Sequence, residues 1–416
     1  MRLKIAINAQ LIPGTGAGGT QASLIGLVNA LARLDGPEQY VLVGPWEEPD
    51  WLKPYMGQNQ FIVRGPKMQA LKRALRPARP LIKLARRASS WISGSGEAWP
   101  RLAQSNGFFE GLGCSVVHFP YQQFIVSALP AVFNPYDLQH VHYPQFFSAA
   151  DLKWREVTYS AACRAAHTVV VHSDWIKQDV VGHYKINPGK IQIVLLPPPT
   201  QVYAEPTAEI LDTLNRIYRL KGTFAFYPAM TWEHKNHVRL LEALALLRDR
   251  RGIRVELVCT GHQTDFFPRI RTRMRELQLD DQVRFLGMVP AEHLRGLYKL
   301  AQFVVFPTLF EGAGLPLLEA WTEGTPIACA AVTSVLEHAG DAALLFDPLS
   351  VEAIADAVAR MASDDPLRET LRKRGLARLG LFSWENTANA YRAVYRRAAG
   401  HPLNEEDRCI LGGGQG

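Results

Sequence analysis

The stretch Phe303-Val-Val-Phe-Pro-Thr-Leu-Phe-Glu-Gly-Ala-Gly-Leu-Pro-Leu-Leu-Glu-Ala320 constrains this chain more than any other. Phe303 to Phe306 is a short apolar run that reads as a buried strand. A loop with Pro307, Glu311, Gly312 and Gly314 follows. Leu315 to Trp321 then has a helical pattern, with Pro316 at a position suited to the first turn. The N–H groups of Gly314 and Leu315 therefore point out of a helix start, where an anion such as a diphosphate is favoured. Glu311 falls on the loop and Glu319 about one turn inside the helix. An anion cradle between two carboxylates suits a sugar nucleotide, with phosphates on the amides and hydroxyls on the carboxylates.

The rest of the chain supplies a frame for that segment. At 416 residues it is too long for one ordinary core, which predicts two domains. It is 47% hydrophobic and 20% charged, the balance of a globular rather than a disordered chain. A net charge of +7 suits anionic partners: nucleotide phosphates, an acidic lipid surface or, less well, nucleic acid. Cys114, Cys163, Cys259, Cys329 and Cys409 are scattered and form no CxxC pair, which argues against a metal site or disulfide framework and predicts a cytoplasmic protein with reduced thiols. Met1 to Ala9 reads as a short strand before a glycine loop, not as a signal peptide. No run reaches the roughly 18 apolar residues that span a bilayer.

In order, Leu3–Asn8 predicts a first strand, Gln10–Gly19 a glycine loop, and Thr20 the cap of a helix to about Leu34. Tyr40–Val43 is a second strand, so the chain opens as a βαβ unit. Gly14-x-Gly16-x-x-Gly19 formally fits a dinucleotide fingerprint. It starts about six residues beyond the strand, however, and no acidic residue closes the second strand at Val43. Residues 64 to 87 carry nine Lys and Arg, from Arg64 to Arg87, without an acidic residue. Two readings stand for this stretch: an arm on an anionic membrane leaflet, or a solvated charged face. No recognised motif supports nucleic acid. Strands at Cys114–Phe119 and Ala131–Phe133 lead into Asn134-Pro-Tyr-Asp-Leu-Gln-His-Val-His142, a loop at a strand's carboxyl end that carries Asp137, His140 and His142. Ser173 is placed to cap a helix, and Pro197-Pro-Pro199 to mark a hinge. Beyond it, Thr223–Tyr227 opens a second set of βα units. Lys235 lies at a strand end just before a helix, well placed to hold a diphosphate.

Glu311-x7-Glu319, in its ten-residue context behind a buried strand, resembles the donor-binding signature of retaining GT-B glycosyltransferases of family 4, the glycosyl transferases group 1. Lys235 matches the family's phosphate lysine, although its usual arginine partner five positions earlier is Met230 here. The Asp137-Leu-Gln-His140 run is similar to the loop of one bacterial branch, with Tyr136 where that branch has its first His. The resemblance implies α/β architecture, with two doubly wound Rossmann-like domains facing a cleft. The N-terminal acceptor-side domain would cover residues 1–200 and the C-terminal sugar-nucleotide domain 215–380. A helix at 381–400 would cross back to the N-domain, ahead of a disordered tail at 401–416.

The implied reaction is retaining transfer of a hexose, with mannose preferred, from a nucleoside diphosphate sugar to a hydroxyl of a glycan or lipid-linked acceptor. No metal and no further cofactor is expected. Glu319 would hold the ribose, and Lys235 with the Gly314 and Leu315 amides the diphosphate. Glu311 would hold the sugar hydroxyls, and Gly19 would face the phosphate across the cleft. Asp137 and His140 would orient the acceptor hydroxyl or take its proton. Two alternatives remain: a sugar-nucleotide epimerase, and a non-catalytic sugar-nucleotide-binding scaffold motivated by Met230 and Tyr136.

Overall fold

A computed structural model describes residues 3–12, 18–66, 102–220 and 222–412. Gly14, Gly16, most of the basic stretch 64–87 and residues 413–416 lie outside the described residues. The N-terminal strands are β1 (Lys4–Asn8), β2 (Gln39–Gly44), β3 (Gln60–Arg64), β4 (Ala103–Gln104), β5 (Val116–Phe119), β6 (Ile125–Val126), β7 (Ala131–Phe133), β8 (Thr168–Val171) and β9 (Ile191–Ile193). The C-terminal strands are β10 (Ala225–Pro228), β11 (Leu257–Thr260), β12 (Val283–Phe285), β13 (Phe303–Phe306), β14 (Ile327–Ala330) and β15 (Leu344–Phe346).

Among the described residues these strands build two large parallel sheets and a minor β4–β6 pair. The first sheet runs β3-β2-β1-β5-β7-β8-β9 and the second β12-β11-β10-β13-β14-β15. Helices on both faces leave the central strands wholly buried, which is why Phe303–Phe306 and Ile327–Ala330 read as unbroken apolar runs. In each sheet the winding reverses beside the first strand: β1 touches β5, and β10 touches β13. At such a switch point the loops leaving adjacent strands diverge and open a crevice at their carboxyl ends. The Lys235 loop follows β10 and the Glu311 loop follows β13. The sheet topology alone therefore brings these two distant segments together.

The N-domain has separate cores on its two sheet faces. Ile5 and Ile7 of β1 enter one and Ala6 the other, as strand alternation requires. The first of these cores is completed from the far end of the chain. Ser383 caps the helix Trp384–Ala398 through the Asn386 amide, and that helix lies across the N-domain. The Asn134 amide donates to Tyr391 at 2.6 Å. His118 Nε2 donates to Asn134 Oδ1 at 2.8 Å, so its Nδ1 accepts from the Tyr395 hydroxyl, also at 2.8 Å. Trp384 Nε1 reaches the Pro198 carbonyl, which ties this helix to the segment after β9.

Two expectations need correction. The first helix runs Gly18–Ala32, so Thr20 lies inside it rather than capping it. Residues 405–412 of the expected disordered tail form the helix Glu405–Gly412. Its start is stabilised by Glu405, Glu406 and Asp407 at the positive end of the dipole, and Asn404 Oδ1 accepts from the Asp407 amide. Asp407 is buried and pairs with Arg396 at 2.9 Å. The terminal glycines misled the composition argument, whereas the acidic turn before them carries the helix. No described helix is long and apolar enough to cross a membrane.

Candidate active site at the interdomain cleft

The loop after β13 is held from three sides. Thr308 Oγ1 donates to Glu311 Oε1 at 2.8 Å, and Lys235 Nζ meets the same oxygen at 2.5 Å. Leu309 N–H donates to the His234 carbonyl at 2.8 Å. From the other side, Thr333 Oγ1 accepts from the Glu311 amide and donates to its carbonyl, which Ser334 Oγ also reaches. Thr333 adopts φ +44, a left-handed conformation that a β-branched residue enters only under constraint. Its two hydrogen bonds to Glu311 supply that constraint, so the loop is fixed before any ligand arrives.

Gly314 has φ +64, and a Cβ there would lie 3.1 Å from Val335. Both favour glycine. It opens the helix Leu315–Thr322, with Pro316 in the first turn. The helix start faces the N-domain: a Cβ on Gly19 would meet Leu315 Cδ1 at 3.3 Å.

Lys235 is positioned by its neighbours. Tyr227 OH donates to the Lys235 carbonyl at 2.6 Å. Asn236 takes the left-handed conformation, φ +61, and its amide group donates to the Pro307 and Pro348 carbonyls. His234 beside it is held well below the usual imidazole range by burial, with the Lys235 charge adding to the effect, so its ring is neutral. Lys235 and Glu311 therefore face one another as a half-buried ion pair. Glu319 accepts from the Tyr298 hydroxyl at 2.7 Å. Burial pushes its carboxyl up to about 7, opposed by that hydrogen bond and assisted by Glu323.

Across the cleft, Asp137 faces the Glu311 loop. A Cβ on Gly312 would sit 3.0 Å from Asp137 Oδ2 and 3.1 Å from the Tyr136 carbonyl, so glycine lets the two loops approach without either having to give. Burial raises the Asp137 carboxyl, opposed by the Gln139 amide it accepts from and by Arg155; Glu311 raises it further. Tyr136 has φ +68, and its hydroxyl is engaged by Ser23 and Thr20 of the first helix. The residue that replaces the branch's first His therefore ties the Asp137 loop to the first helix.

His140 is elsewhere. It is buried among Phe147, Tyr159 and Tyr184, with Nε2 toward the Tyr184 hydroxyl at 3.3 Å and Nδ1 unpartnered. Burial, with the Arg155 charge, holds it down to about 4. The histidine that meets the Glu311 loop is His142, whose ring lies 5.3 Å from Phe310 while Nε2 pairs with Asp179 at 2.9 Å. Met230 is half-buried and brings no cation. The sequence singled out neither Thr308, Thr333 nor Asn236, although the first lies inside the diagnostic segment and the last follows Lys235 directly.

Two doubly wound domains facing a cleft, with a glycine-opened helix start at the second sheet's switch point, define a GT-B glycosyltransferase. The sequence model of glycosyl transferases group 1 matches residues 216–378. The chain is 30% identical to O-antigen chain mannosyltransferase B of Escherichia coli over 268 residues, 64% of this chain and 70% of that protein. It is 29% identical over 249 residues to a D-inositol 3-phosphate glycosyltransferase of Kribbella flavida, but that match spans only 57% of the relative. Among solved structures, sucrose-phosphate synthase from Thermosynechococcus elongatus superposes with a TM-score of 0.67 over 95% of this chain and 99% of that one, at 20% identity. The chain belongs to the glycosyl transferases group 1 family.

Proposed function

We propose that the protein moves a mannosyl residue from GDP-mannose to a hydroxyl of a growing glycan or lipid-linked acceptor, with retention of anomeric configuration and without a metal. The observation that carries this reading is the pairing of Lys235 with Glu311 beside the Gly314–Leu315 helix start, inside the cleft and opposite Asp137. The choice of mannose rests on the likeness to the O-antigen mannosyltransferase.

In this reading the diphosphate takes the helix start and Lys235 Nζ, releasing Glu311 to the sugar hydroxyls. Glu319 accepts from the ribose. The acceptor oxygen attacks the anomeric carbon on the face the diphosphate leaves. The carbon–oxygen bond to phosphate breaks as the new one forms, and the acceptor proton passes to the departing phosphate oxygen. Lys235 and the amides meet the charge that grows there, which is electrostatic catalysis. Asp137 orients the acceptor hydroxyl. His140 has no part, because its ring is turned into the N-domain. The same reading places the enzyme in the cytoplasm, where residues 64–87 would rest on an anionic membrane face.

Thermal-shift titration with UDP-, GDP- and ADP-sugars should single out the GDP form, because saturating ligand raises stability. Acceptor-dependent release of GDP, with the α-anomer in the product, then tests the transfer. Lys235→Ala should cost on the order of 10³ in kcat. A protein that binds donor yet releases nothing with any glycan acceptor would be the scaffold, and one that isomerises the sugar without an acceptor the epimerase.

A further inference from the structure

The helix Thr333–Ala339 touches both halves of the cleft. At its start, Thr333 and Ser334 hold Glu311. At its end, His338 Nδ1 lies 3.0 Å from the Ala313 carbonyl, one residue before Gly314, and Nε2 lies 3.1 Å from the carbonyl of His172 in the N-domain. A neutral imidazole donates through one nitrogen only, so the ring serves one carbonyl at a time while packing between both. Beside it, the Glu337 carboxylate crosses to the helix Asp174–Tyr184. Asp174 N–H donates to Oε1 at 3.0 Å and Trp175 N–H to Oε2 at 2.9 Å.

This contact completes a set. Ser173 Oγ accepts from the Ile176 amide at 3.1 Å, and the Ser173 carbonyl from Lys177. The N–H groups of the first three helical residues, Asp174, Trp175 and Ile176, which a helix start leaves open, are thus satisfied, two of them by a residue 160 or more positions away in the other domain. The carboxylate also sits at the positive end of the helix dipole. Because Glu337 is exposed, water competes for each bond and the contact stays weak enough to open and close.

We infer that Glu337 and His338 are positioning residues for the transfer: a clasp that closes the cleft and, through the same short helix, sets the pose of the diphosphate cradle. The inference rests on the reading of the site as a sugar-nucleotide cleft. Opening the clasp frees the Asp174 and Trp175 amides, loosens Ala313 beside His338 and, at the other end of the same short helix, loosens Glu311. Donor capture and exclusion of water are thereby coupled to one domain contact.

The test begins without ligand. Hydrogen exchange of the full protein should show the amides of 174–176 exchanging roughly tenfold faster in Glu337→Ala, with residues 180–184 unchanged. Glu337→Gln keeps one acceptor oxygen and should fall between. With GDP-mannose and a mannan acceptor, Glu337→Ala should raise donor KM several-fold, change kcat less, and increase the share of donor lost to water. Unaltered exchange at 174–176, or exchange raised evenly over the whole domain, would overturn the clasp. Failure to turn over any sugar nucleotide would sink the proposed reaction while leaving the exchange result standing.

Discussion

The two halves of the cleft are built in opposite ways. The C-domain draws its cradle from one continuous segment, β13 to the helix Leu315–Thr322, with Lys235 and Asn236 brought alongside by the adjacency of β10. The N-domain supplies single residues from separate places: Gly19 after β1, Asp137 and His142 after β7, and the 172–175 turn after β8. A diphosphate has one shape and demands one arrangement of amides and charge, so it can be held by a fixed local motif. An acceptor varies in shape, and in the proposed reading the domain that would face it contributes isolated side chains that can change one at a time.

The largest effect expected from this contrast is at Glu311. Glu311→Gln removes the negative charge that Lys235 and Thr308 meet, on a loop that Asp137 approaches from the other domain. A loss on the order of 10² to 10³ in kcat/KM is expected, with GDP binding by calorimetry little changed. Asp137→Asn should cost about tenfold, seen in acceptor rather than donor KM. Equal losses at the two positions would erase the division between a fixed donor half and an adaptable acceptor half.

That division also governs what could be read from the sequence. The β13–helix segment was legible because its strand, glycines and two glutamates lie within 18 residues and each choice agrees with the next. Thr333, Glu337 and His338 were not, because their partners lie 22 to 166 residues away and only the folded chain brings them near. The histidines of the acceptor loop failed for a different reason. His140 and His142 sit two positions apart on the one-turn helix Gln139–His142, so they leave it on nearly opposite sides. One must face inward and one the cleft, and nothing in the local pattern says which.

A smaller effect is expected at Glu319 and is read by pH. The Glu319 carboxyl is pushed from its ordinary 4.5 up to about 7, chiefly by burial. The folded state therefore holds a proton that the unfolded state releases, and the stability this brings is present below about 4.5 and lost as pH rises through about 7. A ribose hydroxyl needs the carboxylate as acceptor. GDP affinity should therefore tighten between pH 6 and 8 while the melting temperature falls. Glu319→Gln should flatten both profiles. A pH-independent GDP affinity in the parent protein would mean that the ribose is held elsewhere, and the donor half would be less local than its sequence.

The smallest effect is expected at His140, which tests the acceptor half from within. Its ring packs edge-on against Tyr159 and is neutral through the physiological range, since burial holds it down to about 4. Nδ1 has no partner, so a ring without nitrogen removes one unsatisfied group along with the weak Nε2 contacts, 3.3 Å to Tyr184 and 3.5 Å to Glu156. These two changes oppose one another, and His140→Phe should shift unfolding free energy by no more than about 1 kcal/mol. Transfer rates should stay within about threefold of the parent, because the imidazole reaches neither Glu311 nor Phe310. His142→Phe keeps a ring against Phe310 but breaks the pair with Asp179, and should raise acceptor KM more than His140→Phe does. If the order were reversed, the loop would have to turn by about half a helical revolution when acceptor binds, and the inward histidine would be the one that acts.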